Sequence, residues 1–198
     1  KTFLKERFFG MTEYFASKTS NKDKFAMLIY NKKLSVSPLT THIPLKNIHK
    51  SITKNKIINQ VILINKFYKK EFKKIPKIAI TGLNPHCESN YKTSEEEKII
   101  KPAIKLLIKK KFSVNGPFPA DTIFLQEISK NYDVIIGMYH DQVLTPMKTL
   151  FGFDAINITL GLPFIRISPD HGPNEKMLGK NKSNPQSLIQ AIKFLDKK

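Results

Sequence analysis

Short apolar runs alternate along the chain with longer segments in which apolar residues recur at helical spacing. The runs have the length and flanking turns of buried strands, and the periodic segments have the length of ordinary helices. The predicted strands cover residues 25–30, 34–37, 77–81, 133–139 and 155–160, and the predicted helices cover 46–69, 94–110 and 185–195. Strands that alternate with helices predict an α/β fold with a largely parallel sheet flanked by helices. The pattern shows no internal domain boundary within residues 1–198.

The predicted helix at 94–110 begins with an N-terminal capping pattern. Ser94 is followed three residues later by Glu97, the last of three consecutive acids at 95–97. A serine and a glutamate at this spacing cap a helix, and the helix dipole favours acids in the first turn. We therefore interpret the acidic run as the start of a helix rather than as a metal site.

Polar clusters follow three of the predicted strands, at residues 81–86, 138–142 and 162–166. In open parallel sheets, ligands bind in the crevice beyond the carboxyl ends of the strands. The sequence therefore predicts that the functional site lies at this edge of the sheet.

His140 and Asp141 directly follow an apolar strand. A neutral imidazole is a common metal ligand, and a neighbouring carboxylate can orient the ring or add an oxygen ligand. The alternative is a structural histidine, hydrogen-bonded at a strand end. Asp121 follows a loop with two prolines and could reach a metal, but the sequence alone favours a capping role on the next helix.

Arg166 stands in the apolar stretch 162–167, where an unpaired charge is costly. Its planar guanidinium suits a phosphate or a carboxylate, and the alternative is a buried ion pair with Asp170 or another acid. Asn157, on the preceding strand, either satisfies a strand end or donates to a phosphate oxygen. Lys148 carries no signal by itself among so many lysines.

The formal charge of +18 raises the question of a nucleic-acid or anionic membrane partner. Nearly all basic residues are lysines, and only Arg7 and Arg166 are arginines, whereas base-reading surfaces favour arginine. We therefore expect no nucleic acid and no membrane as partners. The charge is interpreted as a solvated surface that can also attract anionic substrates.

The single cysteine, Cys87, cannot form an internal disulfide. No apolar run approaches the roughly 20 residues of a membrane span. Both features indicate a cytoplasmic protein. No Gly-x-Gly-x-x-Gly pattern occurs, so a dinucleotide would need another mode of binding.

Seven motifs occur along the chain in one fixed order. They are Thr-Thr-His-Ile-Pro-Leu at 40–45, Gly-Leu-Asn-Pro-His at 82–86, Glu-Glu-Glu at 95–97, Asn-Gly-Pro-Phe-Pro-Ala-Asp-Thr at 115–122, Met-Tyr-His-Asp-Gln at 138–142, Asn-Ile-Thr-Leu-Gly-Leu-Pro-Phe-Ile-Arg at 157–166 and Ser-Pro-Asp-His-Gly at 168–172. This series resembles the 4-hydroxythreonine-4-phosphate dehydrogenases of vitamin B6 (pyridoxal phosphate) synthesis. Several long motifs in one order are far more specific than any one of them.

The resemblance implies an α/β fold akin to isocitrate and isopropylmalate dehydrogenases, a homodimer, and NAD bound without the Rossmann fingerprint. It implies oxidation of 4-phosphooxy-threonine, followed by decarboxylation to 3-amino-2-oxopropyl phosphate. A divalent metal, often zinc, would hold the substrate's hydroxyl and amino groups. On matched positions the implied roles are metal binding by His140, substrate binding by Lys148, Asn157 and Arg166, and metal support or proton transfer by Asp121 and Asp141.

The resemblance also leads us to expect two further metal-binding histidines, which the chain lacks. Met11 stands where the family pattern reads Gly-His-Thr-Glu, and Ile58 or Asn59 stands at the place expected for the other histidine. Isoleucine cannot coordinate a metal, and asparagine is a weak ligand for zinc.

Three explanations of this departure remain open. Mg²⁺ or Mn²⁺ could be held by Asp121, Asp141 and substrate oxygens. His42 or His86 could replace a missing histidine. The activity could also be lost or altered.

The resemblance covers the C-terminal part of the family pattern. We therefore expect the chain to be an incomplete enzyme that lacks activity by itself. The rival functions are a related metal- and NAD-dependent dehydrogenase that acts on another phosphorylated hydroxy acid, and a non-catalytic basic binding protein.

Overall fold

The computed structural model describes residues 11–19, 24–87, 92–172 and 175–196. One sheet contains the strands β1 Ala26–Tyr30, β2 Ser35–Thr40, β3 Ile78–Thr81, β4 Val114–Phe118, β5 Val134–Tyr139, β6 Ile156–Leu160 and β7 Arg166–Pro169. The α-helices are α1 Met11–Lys18, α2 Ile48–Ser51, α3 Lys54–Phe72, α4 Lys101–Lys109, α5 Gln126–Ser129, α6 His140–Phe151 and α7 Gln186–Leu195. A π-helical segment, Glu96–Ile100, leads into α4. Among the described helices, none combines the length and the apolar character needed to cross a bilayer.

The strands follow the order β4–β3–β5–β2–β1–β6–β7 across the sheet. The first four pair in parallel, and the remaining three pairings are antiparallel. β6 therefore points the same way as the four parallel strands. The predicted α/β fold is confirmed. The sheet is mixed because the connections at 31–34 and 161–165 are too short for a parallel crossover, which needs about a dozen residues.

Helices cover both faces of the sheet. On one face, Ile57 of α3 and Leu107 of α4 belong to the same buried cluster as Ile80 of β3. On the other face, Val143 of α6 packs in a second cluster with Ile135 of β5. Successive strand residues point to opposite faces, so the central strands are apolar on both sides.

Five elements of the structure are not predicted by the pattern: α1, β4, α5, α6 and β7. β4 contains Pro117 and β7 contains Arg166, and both strands lie at the edges of the sheet, where such residues are tolerated. Helix α6 contains Pro146, which hides its periodicity. The predicted helix at 46–69 is divided, because the Thr53 side chain caps a new helix by accepting a hydrogen bond from the Lys56 backbone N–H.

The central strand β5 provides a test of the core. Ile135 is fully buried, whereas Ile108 on α4 is 53% exposed. We expect Ile135→Ala to lower the free energy of unfolding by about 2–5 kcal/mol, because it removes buried methylene groups and leaves a cavity. Ile108→Ala should change it by less than about 0.5 kcal/mol. Chemical denaturation of both variants measures the difference, and equal losses would contradict the assignment of β5 to the core.

Candidate functional site

Three histidines follow the carboxyl ends of three neighbouring strands. His42 follows β2, His140 follows β5, and His86 lies in the loop after β3. β5 pairs in parallel with both β2 and β3, so these three ends lie side by side at one edge of the sheet. This is the edge at which open α/β sheets bind ligands.

His42 and His140 face each other across this edge. Their ring centroids are 5.7 Å apart. Nδ1 of His140 lies 2.6 Å from a carboxylate oxygen of Asp141. If Nδ1 carries the proton that Asp141 accepts, Nε2 of His140 is the nitrogen that can coordinate a metal. The arrangement has the form of a carboxylate–histidine–metal triad.

Asp121 and Asp141 border the same open cavity of about 600 Å³, together with Tyr139. Both carboxylates are exposed to solvent. Asp121 does not cap the following helix, because Leu125 occupies the N-cap of α5. The two acids therefore border one surface cavity, and Asp141 links it to His140 through its hydrogen bond.

Lys148 forms an ion pair with a buried acid. Its Nζ lies 2.6 Å from a carboxylate oxygen of Asp170 and also donates to the backbone oxygen of that residue. The side chain of Asp170 is only 8% exposed. Burial raises the pKa of Asp170 above its usual value, and the nearby positive charge of Lys148 offsets part of this rise. The sequence-based alternative of an Arg166–Asp170 pair is wrong, since Lys148 occupies that position.

Arg166 lies at the start of β7. Its guanidinium donates to the hydroxyl of Thr159 at 2.8 Å and to that of Thr12 at 3.1 Å. The guanidinium also stands over the ring of Phe15, 5.7 Å from its centroid. The two threonine hydroxyls and the Phe15 ring thus hold the guanidinium in one orientation.

Asn157 contributes a buried acceptor. Its side-chain oxygen is inaccessible to solvent and has no hydrogen-bond partner among the described residues. A buried polar atom without a partner costs about 1–3 kcal/mol. Such an atom marks a place where a bound donor, such as a hydroxyl or ammonium group, would gain a hydrogen bond.

The residues on β6 and β7 share one face of the sheet. Asn157 pairs directly with Ile29 of β1 and with Ser168 of β7, and Thr159 pairs with Arg166. Directly paired residues point to the same face. Ile29 packs in the cluster that contains α6 residues, so Asn157 and Arg166 point to the face covered by α6.

His140 and Lys148 lie on this same side of the molecule. They are eight residues apart on α6, a spacing that puts both on one helix face. His140 lies within electrostatic range of Asp170, whose pKa, raised by burial, it helps to lower. The three predicted substrate-binding residues and the predicted metal ligand therefore lie on the side of the sheet that α6 covers.

Two further residues, Glu96 and Gln142, connect the site's loops. A carboxylate oxygen of Glu96 accepts the backbone N–H groups of Leu83 and Asn84, each at 2.8 Å, and the Asn84 amide donates to its other oxygen. The amide of Gln142 donates to the backbone oxygen of Gly82 at 2.9 Å. The prediction that these acids begin a helical segment is confirmed, but Glu96 is fully buried and faces the interior of the protein.

Comparison with known proteins identifies the family. The model of the family described as "Pyridoxal phosphate biosynthetic protein PdxA" matches residues 3–195. A 4-hydroxythreonine-4-phosphate dehydrogenase from Sulfurihydrogenibium is 46% identical over 187 residues, which are 93% of this chain and 57% of that protein.

The chain belongs to the PdxA family.

Two other relatives extend the comparison. A D-threonate 4-phosphate dehydrogenase from Pectobacterium atrosepticum is 37% identical over 186 residues, 93% of this chain and 57% of that protein. The crystal structure of a 4-hydroxythreonine-4-phosphate dehydrogenase from Klebsiella pneumoniae superimposes with a TM-score of 0.82 at 34% identity, covering 99% of this chain and 60% of that one. The chain thus spans a little over half the length of the PdxA relatives it matches.

The positions of the expected PdxA histidines have different surroundings. Met11 is 46% exposed at the start of α1, and Gly10 lies outside the described residues. Ile58 is buried in the apolar cluster beneath α3. Isoleucine cannot coordinate a metal, and the soft thioether of methionine does not replace an imidazole as a zinc ligand. The pairing of His42 with His140 supports the explanation that a different histidine takes this role.

The buried carboxylate of Glu96 generates a prediction about stability. Burial tends to raise its pKa, but the hydrogen bonds from Asn84 and Leu83 outweigh burial, and the pKa lies below its usual value. A carboxyl group with a lowered folded-state pKa stabilises the fold above its unfolded-state pKa, and this contribution is lost as the pH falls through the folded-state value. We expect Glu96→Gln to cost about 1–3 kcal/mol at pH 7 and less in acid.

The control for this variant is Glu97→Gln. Glu97 is exposed and pairs with Lys101 one helical turn away, so its replacement should have little effect on stability. Denaturant unfolding at several pH values measures both variants. A Glu96→Gln loss that stays constant down to strongly acidic pH would contradict the assigned role.

Proposed function

We propose that this chain is part of an enzyme that oxidises 4-phosphooxy-L-threonine with NAD and releases CO₂, giving 3-amino-2-oxopropyl phosphate. The observation that carries the proposal is the arrangement of Lys148, Asn157 and Arg166 around the face on which His140 lies. Membership of the PdxA family supports it. Because the chain covers little more than half of its relatives' length, the activity is proposed for the whole protein.

The substrate has two anionic ends, and the site offers two cations. Arg166 can form two parallel hydrogen bonds with a phosphate or carboxylate. Lys148 has three N–H donors, two of which are used by Asp170, so the third can point to the substrate. The unpaired oxygen of Asn157 can accept a hydrogen bond from the substrate's hydroxyl or ammonium group.

The residues fit a metal ion in part. His42 and His140 supply two imidazoles, and Asp141 orients one of them. His86 is the third candidate metal ligand, because it lies in the loop that follows the neighbouring strand β3. Among the described residues, no three metal-ligating side chains stand within reach of one ion, so the proposal includes a change of the His86 side-chain rotamer. Imidazole ligands favour zinc over Mg²⁺ or Mn²⁺.

The chemistry divides between bound groups and side chains. NAD would supply the hydride acceptor, and the metal would supply Lewis acidity at the substrate's hydroxyl oxygen. Asp141 and Asp121, which border one cavity beside His140, are the proposed acceptors of the hydroxyl proton. Arg166 and Lys148 hold the phosphate and carboxylate while the carboxylate carbon leaves as CO₂. A proton then returns to the carbon that has lost it.

A second candidate function has specific support. A relative that is 37% identical is a D-threonate 4-phosphate dehydrogenase, which acts on another phosphorylated hydroxy acid. The anion-binding residues Arg166 and Lys148 suit either substrate. A direct comparison of the two substrates separates the candidates.

Other properties belong to the same proposal. We infer a cytoplasmic homodimer with a fold akin to isocitrate and isopropylmalate dehydrogenases, and no nucleic-acid or membrane partner. Three apolar residues at helical spacing on α7 are exposed, Leu188, Ile192 and Leu195. Their exposure supports the inference that another protein surface covers this helix. The PdxA fold match supports the dehydrogenase architecture.

The deciding experiment measures NAD reduction by the gene product that contains this chain, expressed at its natural length. Metal-free protein would be assayed with 4-phosphooxy-threonine and with D-threonate 4-phosphate, after addition of Zn²⁺, Mg²⁺ or Mn²⁺. We expect metal-dependent turnover of the first substrate, highest with Zn²⁺. Turnover of D-threonate 4-phosphate alone would favour the second candidate, and turnover of neither by folded protein would reject both.

Arg166→Ala tests the anion site. We expect it to weaken substrate binding by about 1.5–3 kcal/mol, because a charge-assisted hydrogen bond to the phosphate or carboxylate is lost. Lys109→Ala, at the end of α4 on the other face of the sheet, is the matched control for the loss of one positive charge. Steady-state kinetics provide the measurement. Unchanged KM and kcat in Arg166→Ala would exclude the proposed role.

A further inference from the structure

We propose that Glu96 and Gln142 act together as positioning residues that hold the His86 loop against the His140 turn. We call this pair the loop clamp. The inference rests on the metal site proposed above, because His86 and His140 are two of its candidate ligands. Neither Glu96 nor Gln142 is itself proposed to touch the metal or the substrate.

Gln142 joins three parts of the carboxyl edge through one side-chain amide. Its oxygen accepts the backbone N–H of Met138 at 2.6 Å and the hydroxyl of Thr81 at 2.9 Å. Its nitrogen donates to the backbone oxygen of Gly82 at 2.9 Å. The Met138 N–H can only donate and the Gly82 oxygen can only accept, so a single orientation of the amide satisfies both. Gln142 thereby ties the end of β5 to the loop after β3.

Glu96 holds the same loop from the other side. Its carboxylate receives two backbone N–H groups and one side-chain amide from residues 83 and 84. These bonds use both carboxylate oxygens, and the residue is fully buried. Glu96 lies in a π-helical segment, a feature that is frequent at functional sites. A buried and fully bonded carboxylate holds the loop in one conformation.

Two glycines show how closely the clamp fits. A Cβ atom at Gly82 would lie 2.6 Å from Sγ of Cys87 and 3.0 Å from a carboxylate oxygen of Glu96. A Cβ atom at Gly137, on β5, would collide with the Val143 side chain and lie 3.0 Å from Oε1 of Gln142. Only glycine at these positions lets the loop and helix α6 approach the clamp.

The clamp fixes two backbone segments, and each carries a histidine. Gln142 is two residues after His140 on α6, and Gly82 is four residues before His86. The clamp therefore sets the separation of the two backbone segments from which the imidazoles reach toward the proposed ion. If the Gln142 link is cut, the apolar core remains, but the separation of the two histidines is no longer fixed. The expected effect is therefore on metal affinity more than on folding.

Gln142→Glu tests this effect with little change of shape. A glutamate keeps an oxygen for Met138 and Thr81, but it puts an acceptor against the Gly82 oxygen and breaks only that link. Metal-free protein at its natural length would be titrated with Co²⁺ and followed by visible absorption, and its thermal unfolding without metal would be recorded. We expect Co²⁺ affinity to fall about 10- to 100-fold, the usual effect of losing groups that orient ligands.

The matched control is Gln190→Glu. Gln190 lies on α7 and donates a hydrogen bond to Asp154, and the loss of this bond should leave Co²⁺ affinity unchanged. His140→Ala, which removes a proposed ligand, should abolish the spectrum. If the parent protein binds Co²⁺ through His140 and Gln142→Glu binds it equally well, the clamp is overturned while the metal site stands. If the parent binds no Co²⁺, the metal site fails and the clamp fails with it. If Gln142→Glu and Gln190→Glu lose affinity equally, the effect is not specific to the loop, and the clamp is also overturned.

Discussion

The parallel pairing of β5 with β2 on one side and with β3 on the other is the constraint on which the candidate site depends. It brings the ends of three strands together, and His42, His86 and His140 follow those ends. β5 is apolar on both faces and packs against helices on each side, so displacing it would disrupt the close packing of both clusters. The packing of the core thus fixes the strand ends that the histidines follow.

Polar groups behind this edge are satisfied almost entirely by the protein's own side chains. Glu96 and Gln142 use their hydrogen-bonding groups on the backbone of the edge, and Asp170 pairs with Lys148. The oxygen of Asn157 is the exception among the described residues. Where buried groups are otherwise hydrogen-bonded, an acceptor without a partner is a position at which a bound donor would gain a hydrogen bond.

The sequence predicts more of the elements than of their arrangement. Buried strands and amphipathic helices have periodic patterns, and the edge at which the site lies follows from the fold class. The contact of His42 with His140 could not be predicted, because it depends on the order of strands in the sheet. The Arg166–Asp170 alternative fails because four residues along a strand span about 13 Å at roughly 3.3 Å per residue. The role of Glu96 could not be predicted, because Glu95 and Glu97 beside it have the same side chain. Only the tertiary structure brings Glu96 into hydrogen-bonding contact with Asn84.

The anchors of the site do not by themselves choose between the two candidate substrates. Both carry a phosphate, a carboxylate and a hydroxyl group, so Arg166 and Lys148 bind the parts that they share. They differ in the group beside the carboxylate, an amine in 4-phosphooxy-threonine and a hydroxyl in D-threonate 4-phosphate. Discrimination between the substrates must therefore come from groups that contact this amine or hydroxyl. The proposed metal ion, held by His42 and His140 beside Asp141, is the part of the site expected to contact it. An amine is a better ligand than a hydroxyl for an ion that prefers nitrogen, so a site built on imidazoles favours the aminated substrate, whereas an ion held mainly by oxygen ligands would discriminate less.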